Sequence, residues 1–164
     1  LPARSEMCIR DSYGSPWVCV VSEAQWQQQA VLLEFDPQSH PLAMLLRLQQ
    51  QVLPLPEAGA LAPAAMARAL LLMGMYAIDE LAQLHDQVQH HRLWHWFVAG
   101  GHGVMEGWQL SPLRVAMASW LDDVAMTDAL TAFAQRSEVA VLARRCGGDA
   151  PRLEREACRR MTLR

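Results

Sequence analysis

The chain has 164 residues, of which 52% are hydrophobic, 19% charged and 7% aromatic, a balance that suits one domain with a packed core and excludes a largely disordered polymer. The formal net charge is −3, from 14 basic and 17 acidic residues, which argues against a uniformly basic nucleic-acid binder. All 14 basic residues are arginine, so lysine Schiff bases, P-loop lysines and lysine general bases are excluded.

The run Ala3-Arg4-Ser5-Glu6-Met7-Cys8-Ile9-Arg10-Asp11-Ser12 resembles the conceptual translation of a sequencing adapter and no protein family. On that reading residues 1–12 are a non-native lead. Residues 13–164 are then one mostly helical domain, a fragment of a longer bacterial protein. Trp17 to Val21 and Ala30 to Phe35 are short β-branched or apolar runs. They form a hairpin with a long connection, or Glu23 to Glu34 is one helix behind a Ser22–Gln25 capping pattern. The strand reading is preferred; two strands are marginal alone, so the helices are expected to cover them or upstream sequence to extend the sheet.

Ser39 is expected to cap a helix from His40 to about Leu53, with Pro41 in its first turn, where a missing N–H costs nothing. Leu42, Leu45, Leu46 and Leu48 supply its apolar area and Gln49 to Gln51 are expected to face water. The longest helical signal runs from about Ala62 to Val98. Met66, Leu70, Met73, Ala77, Leu81, Leu84 and Val88 recur at steps of three and four, one face of an α-helix. Glu80, Gln83, Asp86, Gln87 and Gln89 make the other face polar only in its second half. Unbroken, such a helix would span roughly 50 Å, more than a domain with a radius of gyration of about 15 Å accommodates. A kink or break is expected near Gly74 or around His90.

Gly100-Gly101-His102-Gly103 ends that helix. Ser111 and Pro112 read as N-cap and first position of the next, with Leu113, Met117, Trp120 and Val124 as its stripe to about Met126. Thr127 is expected to cap a helix ending at Cys146 with Gly147 just beyond. Asp149 and Pro151 start a last helix to about Met161. The expected fold is mainly α, five or so packed helices around one long central helix (about 62–98), with a short N-terminal β-hairpin as an optional α+β element. Leu61 to Ile78, the most apolar stretch, contains Arg68 and Gly74 and falls short of the about 20 apolar residues of a membrane-spanning helix, so no span is expected.

Cys8, Cys19, Cys146 and Cys158 match no zinc spacing and are too sparse for a disulfide scaffold, which points to reduced thiols in the cytoplasm. Cys146 follows two arginines that lower a thiol pKa, at a helix C-terminus that opposes the shift. Five of the six histidines fall between His85 and His102. His91 and His95 are four apart, a spacing that presents two imidazoles to one metal ion. With His102 and Glu106 they form an alternative zinc or iron site, although Arg92 is a poor neighbour for a cation. The glycine run lacks phosphate-loop spacing and follows a helix, so it reads as a turn, and no nucleophile elbow is present.

Trp94, Trp96 and Trp108 concentrate aromatic surface beside Arg92, the composition of a binding surface. Trp94 and Trp96 are two apart on a helix, so one of them is the better surface candidate. From Arg136 onward there are eight arginines against four acids. Arg152, Arg155 and Arg159 recur at near-helical spacing as a second contact, for a partner or alternatively for nucleic acid. The expected role is a non-catalytic interaction or assembly module without a cofactor. It would bind another protein or the rest of its own longer chain, through Arg92, Trp94, Trp96, Trp108, Arg152, Arg155 and Arg159.

Overall fold

The computed structural model describes residues 7–10, 16–20, 36–58, 61–101, 105 and 107–156. The chain divides into two units, Leu1–Asp36 and Pro37–Arg164. In the first, β1 (Met7–Arg10) pairs antiparallel with β2 (Pro16–Val20). Met7 faces Val20, Cys8 faces Cys19, Ile9 faces Val18 and Arg10 faces Pro16, with a register irregularity between Ile9 and Arg10. The expected strand at Trp17 is present, but its partner is the short run Met7-Cys8-Ile9, which lies in the segment set aside as adapter-like. The expected partner Ala30–Phe35, and the alternative helix there, lie outside the described residues.

The second unit is mainly helical. Its described residues form α1 (Pro41–Val52), α2 (Pro63–Tyr76), α3 (Leu81–His90), α4 (Arg92–Val98), α5 (Leu110–Asp122), α6 (Val124–Ala134), α7 (Ser137–Arg145) and α8 (Ala150–Glu156). A 3-10 turn, Pro37–Ser39, leads into α1. Pro41 opens α1 as expected, but its cap is His40 rather than Ser39. The His40 backbone is extended and its Nδ1 accepts the Leu42 N–H at 3.1 Å. Accepting there requires the neutral imidazole. Burial first, and the nearby His91 second, push the His40 pKa below its ordinary value.

The centre of the unit is α2, where every residue from Ala64 to Met75 is buried. It is packed by α3, α4, α5 and α8. Such a helix needs no amphipathic pattern, because no face meets water. Gly74 lets α8 approach: a Cβ there would sit 2.8 Å from Leu153 Cδ1.

The single long helix expected over 62–98 is three helices. After Tyr76 the chain turns at Ala77, which is left-handed at φ 57°, ψ 39°. Ile78 N–H closes back on Met73 O at 3.0 Å and its side chain is buried. The second break is at His91, whose backbone is extended. One break therefore falls three residues after the glycine expected to cause it, and the other falls one residue after His90. Burying Ile78 and folding the amphipathic α3 back beside α2 keeps the apolar stripe on one core.

Three later boundaries also shift. α5 begins at Leu110, so Ser111 and Pro112 lie inside its first turn. α6 is capped by Asp123, whose Oδ1 accepts the Met126 N–H at 3.2 Å, and Thr127 instead donates its hydroxyl to Val124 O. The helix expected to run on to Cys146 breaks at Gln135 and Arg136 into α6 and α7. α7 ends as expected on Gly147 (φ 77°): Gly147 N–H bonds Arg144 O and Gly148 N–H bonds Ala143 O, a Schellman closure. Asp149 caps α8 through Arg152 N–H at 3.0 Å. No helix among the described residues is long and apolar enough to cross a membrane.

Candidate functional site

The aromatic surface expected around α4 is divided by the fold. Trp96 is 8% exposed and Trp108 is 7% exposed, so both belong to the core and present little to a partner. Tight packing of α4 against α2 and α3 takes that face inward. Trp94 is half-buried, in tilted contact with the Tyr76 ring at 4.7 Å and the His91 ring at 5.4 Å. Arg92 is exposed. Arg152 is engaged within the unit, paired with Asp79, which ties α8 to the turn before α3. Arg155 lies on α8, and Arg159 lies outside the described residues.

The described histidines form no metal-holding group. The extended backbone at His91 interrupts the helix that would have aligned it with His95. His85 Nε2 lies 3.2 Å from Trp108 O, and His90 Nδ1 lies 2.8 Å from Asp86 O. His102 and Glu106 lie outside the described residues. Among the described residues no three His, Cys, Asp or Glu side chains could hold one metal ion. The Cys146 thiol is pushed up to about 11 by burial, with Arg145 opposing the shift. Desolvation outweighs the arginine that the sequence places beside it.

Two arrangements were not foreseen. The first is a polar junction inside the core. Arg68, 1% exposed, projects from α2 and donates Nε to Val98 O at 3.0 Å and Nη1 to Gln49 Oε1 at 3.1 Å. Its Nη1 and Nη2 meet the two oxygens of Glu57 at 2.8 and 2.7 Å. This fork-on-fork pair joins α1, the loop after it, α2 and the end of α4. Gly100 (φ 72°) leaves room for it, since a Cβ there would lie 3.0 Å from both Arg68 Nη2 and Glu57 Oε2. Gln49 is fully buried, against the expectation that it faces water. A usable signal was present: Leu42, Leu45, Leu46 and Gln49 follow the i, i+3, i+4, i+7 rule.

The second arrangement is an open groove of about 580 Å³ between α1 and α7. α1 contributes Met44, Arg47, Leu48 and Gln51; α7 contributes Glu138, Val141, Leu142 and Arg145. Each set is spaced i, i+3, i+4, i+7, one stripe on one helix. Met44 is 46% exposed and Val141 48% exposed, so the two stripes leave apolar side chains facing water. Arg145 Nη1 lies 3.8 Å from Met44 Sδ, which places the end of α7 beside the start of α1. At the other end a smaller cavity joins Val52 and Leu53 to Arg136, so the helices run antiparallel. Glu138 is paired with Arg136 at 3.1 Å. Its own backbone N–H, then Arg136, hold its carboxyl below the usual range.

No protein-family profile, curated protein or solved structure matches this chain.

Proposed function

We propose that the helical unit is a non-catalytic interaction module that receives an amphipathic helix of a partner protein in the groove between α1 and α7, in the bacterial cytoplasm. The observation that carries this reading is the pair of facing stripes, with Met44 and Val141 each about half exposed on its floor. A third helix laid along two antiparallel helices buries such stripes, in the helix-in-groove mode read by i, i+3, i+4 and i+7 anchors. The groove spans the seven-residue step from Met44 to Gln51, about 10 Å or two helical turns. Among the described residues, three groups that could do chemistry are already engaged. The Cys146 thiol is held protonated by burial, and His85 and His90 contact backbone oxygens.

The test is selection of a displayed library of three-turn helical peptides on the full chain. Binders are expected to lose at least tenfold in affinity with Met44→Glu or Val141→Glu, because a carboxylate would then be buried against apolar side chains. Both positions are half exposed, so the variants retain the fold, checked by circular dichroism. Selected binders that ignore both substitutions, or a library that yields none, would overturn the proposal.

A further inference from the structure

The groove has a charged end and a neutral end, and that asymmetry specifies its occupant further. Arg47 and Arg145 stand at the end where Arg145 meets Met44. Gln51 and Ser137 stand at the other, with Glu138 already paired to Arg136. Three described arginines of the unit stand in ion pairs, Arg68 with Glu57, Arg136 with Glu138 and Arg152 with Asp79. Among the arginines outside these pairs, Arg47 and Arg145 are the two that line the groove. Arg47 Nη2 donates to the neutral Gln38 Oε1 at 2.7 Å, and Arg145 reaches the Met44 thioether. A chain with 17 acidic residues places none of its described carboxylates in a salt bridge with these two arginines. Nor is the Arg145 side chain needed for the Schellman closure of its own helix, which Gly147 and Gly148 N–H groups make on the Arg144 and Ala143 carbonyls.

We infer that the groove selects an acidic amphipathic helix of a partner protein, with an apolar i, i+3, i+4, i+7 face on Met44, Leu48, Val141 and Leu142 and carboxylates clustered at one end to meet Arg47 and Arg145. This rests on the groove being the docking site proposed above. The apolar stripe supplies the contact area, and the two arginines set the direction in which the helix lies. Charge at such a rim acts mainly through orientation and association rate. A basic helix is rejected, because it would set like charges together at that end.

The probes are three synthetic helical peptides with the same leucine stripe and either glutamate, glutamine or lysine at two positions of one end. Binding to the full chain is followed by fluorescence anisotropy at low and moderate salt. The acidic peptide is expected to bind about tenfold more tightly than the neutral one, and the lysine peptide more weakly than either. The acidic advantage should shrink with salt and disappear in Arg47→Gln/Arg145→Gln. Equal binding of acidic and neutral peptides, both lost with Val141→Glu, would overturn the charge selection while leaving the docking site standing. No binding by any of the three would overturn both. A concentration-dependent mass of the free chain that Val141→Glu abolishes would assign the groove to a second copy and overturn the inference.

Discussion

The Arg68 junction makes the strongest quantitative prediction. Glu57→Ala leaves a guanidinium that is 1% exposed with only Val98 O and the Gln49 amide as acceptors. Removing one partner of a buried ion pair costs about 3–5 kcal/mol. Glu57 itself is 37% exposed, so water enters the vacated space and the expected cost falls to about 2–3 kcal/mol. Arg68→Met removes the charge, fills much of the same volume and orphans the buried Gln49 oxygen, at about 1–3 kcal/mol. In that background Glu57 serves no buried cation. Adding Glu57→Ala should then cost no more than about 0.5 kcal/mol. The double-mutant cycle therefore predicts a coupling of about 2 kcal/mol. Urea unfolding followed by tryptophan fluorescence measures it, provided the slope is constant across variants. If Glu57→Ala costs the same in both backgrounds, or under about 0.5 kcal/mol in the parent, the pair is an ordinary surface bridge and the burial argument fails.

Three further outcomes follow from local geometry. Ala77 is left-handed at φ 57°, so Ala77→Gly should raise stability by about 0.5–1 kcal/mol, the strain relieved less the added freedom of the unfolded chain; a loss of stability would show that the turn is not strained. His40 has a folded pKa below 6.5, so the unfolded chain binds more protons just below that value. Its contribution is complete above pH 6.5 and is lost as pH falls through the lower folded value. The urea midpoint should drop between about pH 7 and 5 more steeply than in His40→Asn, which keeps a capping acceptor; parallel profiles would refute the assignment. The Cys146 thiol, pushed up to about 11, should alkylate at neutral pH roughly a hundredfold more slowly in the folded chain than in urea, as read by peptide mass mapping, and equal rates would contradict its desolvation.

The helical class was legible because α-helical period is a local property. Met66, Leu70 and Met73 repeat at that period, and each is buried. Termini set by local chemistry were legible too: Pro41 opens α1, Asp149 caps α8, and Gly100 and Gly147 close α4 and α7. Breaks near Gly74 and His90 were legible from length alone, but the exact residue of the first was not, because it depends on where the following residue packs. Alanine carries no signal for a left-handed turn; burial of Ile78 supplies it. The tryptophans misled for a related reason. Composition marks aromatic residues as fit for a core or for an interface alike, and only the packing of α4 decides that Trp96 is inside. Arg68 was visible as a charge in an apolar run, but its partners come from 19 residues before it to 30 after it, a separation no local pattern reports.

The junction and the groove share α1, and this couples the core to the proposed docking surface. Leu42, Leu45, Leu46 and Gln49 form the inward stripe of that helix, while Met44, Arg47, Leu48 and Gln51 form the groove stripe beside it. Gln49 is held by Arg68 and by its own bond to Leu53 O at 2.7 Å, so the second half of α1 is fixed from below. On the proposed docking, a partner helix would meet stripes already in register, and the ordering cost of binding would fall on the partner rather than on the groove. Glu57→Ala removes the carboxylate that anchors the Arg68 guanidinium, and so loosens one of the two holds on Gln49 without altering any groove side chain. It should weaken all three peptides by a similar factor and leave the preference for the acidic one intact, whereas Arg47→Gln/Arg145→Gln should erase the preference and leave stability near the parent value. Loss of the charge preference in Glu57→Ala would mean that the junction sets the orientation of Arg47 itself, and that groove and core are a single device.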